Sequence, residues 1–146
     1  PRNLDDEQLQ WVKENGGVVQ TVALALFVNK EKHEKYLNAI KTLKDPHDQK
    51  AIEVLKKEFP PVNISDFVDH IDYLINKIGI DHVGISSDFD GGGGIEGWED
   101  ASQTFNVTLE LVKRGYTEEE IQKIWSGNLL RVLNESEKIA KQLQGD

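Results

Sequence analysis

The stretch Val83-Gly84-Ile85-Ser86-Ser87-Asp88-Phe89-Asp90-Gly91-Gly92-Gly93-Gly94 decides how this chain is read. An alternating apolar run ends in two acids and then in four consecutive glycines. Val83 and Ile85 read as the end of a buried strand, and Asp88 falls where the backbone leaves the sheet. Four glycines lose much conformational entropy on ordering and contribute no core contacts, so such a run implies close approach of backbone or ligand. The acids at its lip are therefore the first candidates for chemistry.

Working upstream, Asp66 to Ile78 carries Phe67, Ile71, Leu74, Ile75 and Ile78 at helical spacing, with Ser65 as the expected cap and Gly79 as the stop. The strand expected after it covers Asp81 to Ser87. Residues 30–58 form a charged helical hairpin, broken at Asp45-Pro46 and ended at Pro60-Pro61. Gly17 to Leu26 reads as a second strand buried on both faces. It follows a helix that Asp5 and Gln8 open as a capping box. Downstream of the glycines the chain reads as wholly helical: Glu99 to Arg114, then the C-terminal helices 117–146, opened by a Thr117/Glu120 capping box.

Two buried strands separated by helices predict an α/β fold with a parallel sheet and helices outside. Two strands cannot close a barrel or cover their own edges. The expectation is the C-terminal part of a (β/α)8 TIM-type barrel, with residues 1–146 a single partial domain. The sequence begins on Pro1-Arg2-Asn3-Leu4, as if inside a loop, and has no methionine, which fits a portion of a longer protein.

Composition narrows the function classes. A net charge of −9 argues against nonspecific nucleic-acid binding, which needs clustered Lys and Arg. The longest apolar run, Val22 to Val28, is far below the ~20 residues of a spanning helix. No secretory leader or lipid-anchor tail is recognisable in the sequence as written, and the chain is expected to be soluble, in cytoplasm or periplasm. Zero cysteines exclude disulfides and thiolate metal sites.

The acid–glycine loop admits several readings. Asp88 and Asp90 can simply serve the turn, as Asp commonly does. Asp88, Asp90, Gly93 and Glu99 also match positions of a calcium loop, with Glu96 between, but Gly92 offers no ligand and the preceding segment is a strand rather than a helix. A phosphate cradle is disfavoured by acids at both ends and by the lack of a P-loop lysine. In a barrel, a residue just past a strand's C-terminal end points into the active-site mouth. A carboxylate there can move a proton between an attacking water and a leaving group. Among the histidines, His33 and His47 read as surface residues, His70 as a hydrogen-bonded structural residue, and His82 as lying at the wrong end of its strand. No pair has ligand spacing, so no zinc set is expected within these residues.

Four blocks taken together carry a resemblance: Pro1-Arg2-Asn3-Leu4-x-Asp6-Glu7-Gln8-Leu9, Asp66-Phe67-Val68-Asp69-His70-Ile71-Asp72, Gly79 to Gly91, and Gly127-Asn128-Leu129-Leu130-Arg131-Val132. In this order they resemble the renal (membrane) dipeptidase family, metal-dependent hydrolases related to the amidohydrolases. The resemblance runs from Pro1 to about Glu135 and corresponds to the C-terminal portion of a family member. It implies a barrel enzyme with two zinc ions that hydrolyses dipeptides through a metal-bridging hydroxide. By position, Asp88 corresponds to the family's proton-transfer acid, which also contacts substrate. Arg2 corresponds to the arginine that pairs with the substrate's free carboxylate. The zinc ligands are expected upstream, so this chain alone would have no metal site and no activity. Asn128 and Arg131 are expected to tie the last helix to the barrel. A homodimer is compatible with the resemblance.

Overall fold

The computed structural model describes residues 3–145. In chain order the regular elements are α1 (Asp6–Glu14), β1 (Val19–Val22), α2 (Ala25–Val28), α3 (Lys30–Ile40), α4 (Gln49–Glu58), α5 (Ile64–Ile78), β2 (Val83–Ser86), α6 (Thr104–Lys113), α7 (Glu118–Gln122) and α8 (Asn128–Gln144). β1 and β2 pair in parallel as a two-stranded sheet, which makes this a mixed α/β protein. The residues fall into two compact units: one holds the chain up to Thr21, Asp69–Ser86 and the part from Leu111 on, and the other holds Val22–Val68 and Ser87–Glu110.

The first unit is organised around the strand pair. Asp5 and Gln8 make the expected capping box, the Gln8 N–H donating to Asp5 Oδ1 at 2.9 Å and the Asp5 N–H to Gln8 Oε1 at 3.0 Å. Leu9, Ile71, Leu74, Ile78, Val83, Leu111, Ile121 and Ile124 are its buried apolar side chains. The Gln20 amide fills the space beside Gly84, its Oε1 2.6 Å from where a Cβ would stand. Asn128 is buried, and its amide donates to the carbonyls of Ile80 at 2.7 Å and Val83 at 2.9 Å. Arg131 donates to the carbonyls of Gly16 and Asp81, each at 2.9 Å. The last helix is thus fastened to the backbone just ahead of both strands, as Asn128 and Arg131 were expected to do. Arg114 pairs with Asp69 and Asp72, each at 2.6 Å, and Asp72 also accepts from the Tyr116 hydroxyl.

The second unit has its core at Ala23, Val62, Phe67, Val68, Ile95, Trp98 and Val107. Trp98 packs between two rings, Phe67 tilted at 46° with its centroid at 5.7 Å and Phe89 edge-on at 5.5 Å, and its indole N–H donates to Thr104 at 3.1 Å. Lys32 reaches Asp66 at 2.5 Å, tying α3 to the first turn of α5.

Several local expectations are corrected. The first strand is four residues long, and the apolar run after it turns into the short helix α2. Only Thr21 of that strand is buried, with its hydroxyl unpartnered, so it is not covered on both faces within the described residues. The second strand is shortened by a 3-10 turn at Ile80–His82. Ser65 does not cap α5; Asn63 does, accepting from the Asp66 N–H at 3.2 Å while Asp66 accepts from the Asn63 N–H at 2.9 Å. The stretch after the glycines is not wholly helical: isolated bridges join Leu24 to Gly94, Asn63 to Glu96 and Ile95 to Trp98 before α6 begins.

Candidate active site

The acid–glycine loop starts two residues beyond β2 and lies entirely in the second unit. Asp88 takes φ 55 and ψ 33, and among the described residues no other non-glycine has positive φ. Its carbonyl accepts from the N–H groups of Gly91 at 3.0 Å and Gly93 at 2.7 Å, closing a 3-10 turn over Phe89–Gly91. A Cβ on Gly93 would strike the carbonyl oxygens of Ser87 and Asp88, and one on Gly91 would strike the Asp88 carboxylate. The glycine at 93 is therefore dictated by close approach of backbone, whereas at 91 only the Asp88 side chain, which folds back over it, stands in the way.

Beyond the loop the backbone is pinned on two sides. Gly94 donates to the Ala23 carbonyl at 2.9 Å and Glu96 to the Val62 carbonyl at 3.0 Å, while Ile64 donates back to Glu96 at 3.2 Å. Phe89 is held by Trp98. A loop built of residues that hold no shape by themselves is thus made rigid from outside, with the Asp88 and Asp90 side chains exposed.

The calcium pattern does not assemble. Glu96 is engaged by Lys56 at 2.8 Å, and the described residues contain no group of three or more His, Cys, Asp or Glu able to hold a metal ion. A zinc pair likewise finds no ligand set among them. Arg2 lies outside the described residues.

The histidines differ from expectation in two cases. His70 is not hydrogen-bonded: its Nδ1 is buried without a partner, and burial pushes the imidazole pKa down. His33 is half-buried and lines a pocket instead of lying on the open surface. The His82 Nδ1–H donates to the Gly17 carbonyl at 2.8 Å, a structural contact at the start of β2. His47 is exposed.

The pocket beside His33 was not foreseen. It has a volume of about 200 Å³ and also takes in Tyr36, Lys56, Gly94, Glu96 and Glu99. Glu96 holds the Lys56 ammonium, whose pKa is raised by that hydrogen bond against some desolvation. These residues come from α3, α4 and the segment after the glycines. In the sequence Glu96 and Glu99 suggest only calcium ligands, and no local pattern connects Glu96 to Lys56, 40 positions away.

Comparison with known proteins agrees with this architecture. The family described as membrane dipeptidase (peptidase family M19) matches residues 1–146. Dipeptidase aclJ of Aspergillus oryzae is 33% identical over 97% of this chain, which spans 28% of that relative's length. Dipeptidase 3 of Rattus norvegicus is 32% identical over 98% of the chain and 24% of its own length. The crystal structure of the probable dipeptidase PvdM from Pseudomonas aeruginosa superposes with a TM-score of 0.68 at 37% identity, covering 89% of this chain and 40% of that one. A metallo peptidase from Rhodobacter sphaeroides, liganded with a phosphinate mimic of the dipeptide L-Ala-D-Ala, shares the fold at TM-score 0.70 and 24% identity, covering 91% of this chain and 31% of that one. The match over every residue, the curated relatives and the shared fold have one reading: this chain belongs to the membrane dipeptidase family, peptidase family M19.

Proposed function

We propose that this chain is the C-terminal portion of a zinc-dependent dipeptidase, the last part of a (β/α)8 barrel, in which Asp88 carries the proton and Arg2 recognises the substrate. The observation that carries this reading is the backbone of Asp88. A non-glycine residue held in the left-handed region, two positions after a strand and hydrogen-bonded through its carbonyl to a Gly93 that has no room for a side chain, is backbone geometry of the kind that clusters at functional sites.

Hydrolysis forms a bond from a water oxygen to the peptide carbonyl carbon, breaks the C–N bond and moves a proton from the water to the departing nitrogen. Asp88 is the carboxylate assigned to that transfer, first as base and then as acid. The guanidinium of Arg2 is assigned to the substrate's free C-terminal carboxylate, which its planar fork can bind through two parallel hydrogen bonds. A longer peptide has no carboxylate at that distance from the scissile bond, which explains a preference for dipeptides. The zinc ligands are assigned to residues outside this chain.

The test is Asp88→Asn in the full-length, zinc-loaded protein. Asn tolerates the left-handed backbone but cannot take a proton, so kcat should fall by about 100-fold or more with unchanged thermal unfolding. Normal turnover in that variant would sink the assignment. Arg2→Met should instead act mainly on KM for dipeptides, and an unchanged KM would remove Arg2 from substrate binding.

A further inference from the structure

The pocket lined by His33, Tyr36, Lys56, Gly94, Glu96 and Glu99 shares one compact unit with Asp88 and is reached from it through very little chain. Gly93 donates to the Asp88 carbonyl at 2.7 Å, and its neighbour Gly94 is already a wall of the pocket. The wall is fixed: Gly94 hydrogen-bonds to Ala23 and Glu96 to Val62. A volume of about 200 Å³ suits one amino-acid side chain, not a whole peptide.

Its charges do not balance. Lys56 donates a hydrogen bond to Glu96 at 2.8 Å and feels Glu99 only through space, so two carboxylates share one ammonium and the pocket carries a surplus negative charge. The described partner of the Glu99 carboxylate is the neutral amide of Gln103, at 3.5 Å. The Tyr36 hydroxyl and the His33 imidazole add polar groups that have no side-chain hydrogen bond among the described residues. A pocket with one paired cation, one paired anion and one surplus carboxylate favours a positively charged guest.

We infer that this pocket receives a basic side chain of the substrate, so that the enzyme selects dipeptides containing one Lys- or Arg-like residue. This rests on the dipeptidase reading above and adds the substrate class to it. Glu99 faces the ammonium or guanidinium, Tyr36 and His33 accept its remaining N–H donors, and the apolar part of the lining takes the methylene stem. Lys56 sets the strength of the effect, because it cancels Glu96.

The experiment compares kcat/KM for paired dipeptides that differ only by lysine against norleucine, at the first and at the second position, using the full-length zinc-loaded enzyme. The lysine member should be preferred at one position. Glu99→Gln should lower the lysine-to-norleucine ratio about tenfold, and Lys56→Gln, which frees Glu96, should raise it, each being one charge contact in a partly screened site. Opposite signs from two variants of one pocket cannot come from damage to the fold. If neutral dipeptides are hydrolysed but the ratio stays within about twofold of one, or neither variant moves it, the inference fails while the dipeptidase reading stands. If no dipeptide is hydrolysed at all, the underlying reading fails and this one with it.

Discussion

At Asp88 the backbone takes a conformation that costs most L-residues ~1–2 kcal/mol, and Asp is one of the few that visits it readily. Gly92 and Gly93, which follow in the same turn, differ in what a side chain would meet. Gly92 has φ 99 but open space around its missing Cβ, so Gly92→Ala carries only a backbone penalty. Gly93 has no room, since a Cβ there meets the Ser87 and Asp88 carbonyl oxygens, which cannot yield without moving Asp88 itself. If Asp88 carries the proton in a full-length dipeptidase, as proposed above, Gly93→Ala should lower kcat by about tenfold or more by displacing it, and Gly92→Ala by much less. Steady-state kinetics of the two variants, read beside their melting temperatures, separates displacement from instability. Equal kcat values would show that the loop is not what positions Asp88.

What the sequence made legible at the level of elements was what is decided locally. The boxes at Asp5/Gln8 and Thr117/Glu120 formed as expected because both partners lie within one turn. The start of α5 is not decided by residue type, since Asn and Ser cap about equally well, and the reciprocal pair that Asn63 makes with Asp66 selects Asn63 over Ser65. The run Val22 to Val28 is apolar throughout, and periodicity cannot divide such a run between strand and helix. The wall of the pocket was invisible for another reason: it depends on Glu96 meeting Val62 and Lys56, contacts that no spacing rule encodes. The Thr117/Glu120 box also carries a pH dependence. The Thr117 backbone N–H, then its hydroxyl, holds the Glu120 pKa below its ordinary 4.5. A lowered folded pKa means stability that is present above the unfolded value and lost as pH falls through the folded one. Acidification from pH 5 downward should thus loosen the start of α7, a change that Glu120→Gln should abolish at that site. Amide exchange at Thr117 and Glu120 in both proteins checks it, and identical pH dependence would exclude the carboxylate as the cause.

For the chain as a whole the decisive quantity is what its 146 residues leave uncovered. Among the described residues each of the two strands has a single neighbour, so both are edges, and a sheet of this size is marginal in water. Apolar side chains are open to solvent on several helices: Phe105 at 70% and Val112 at 54% on α6, Leu129, Leu130 and Leu133 at 51% each on α8, and Leu143 at 83% near its end. Scattered singly these would mean little, but a row of three on one helix over about one turn, together with open strand edges, is the kind of surface that marks an interaction face. Each large side chain left out forgoes roughly 1.5–3 kcal/mol of burial, which is large against the stability of any small domain. The relatives that match this chain are longer, the chain spanning 28% of one and 24% of another, so material able to cover these surfaces exists in the family. The isolated 146-residue chain should accordingly self-associate at micromolar concentration and bind a hydrophobic dye, whereas the full-length protein should do so much less. Sedimentation velocity and dye fluorescence on both samples decide the matter. A monodisperse monomer with a cooperative melt from the isolated chain would show that the uncovered faces are tolerated, and that the barrel assignment, which requires their covering, is wrong for this protein.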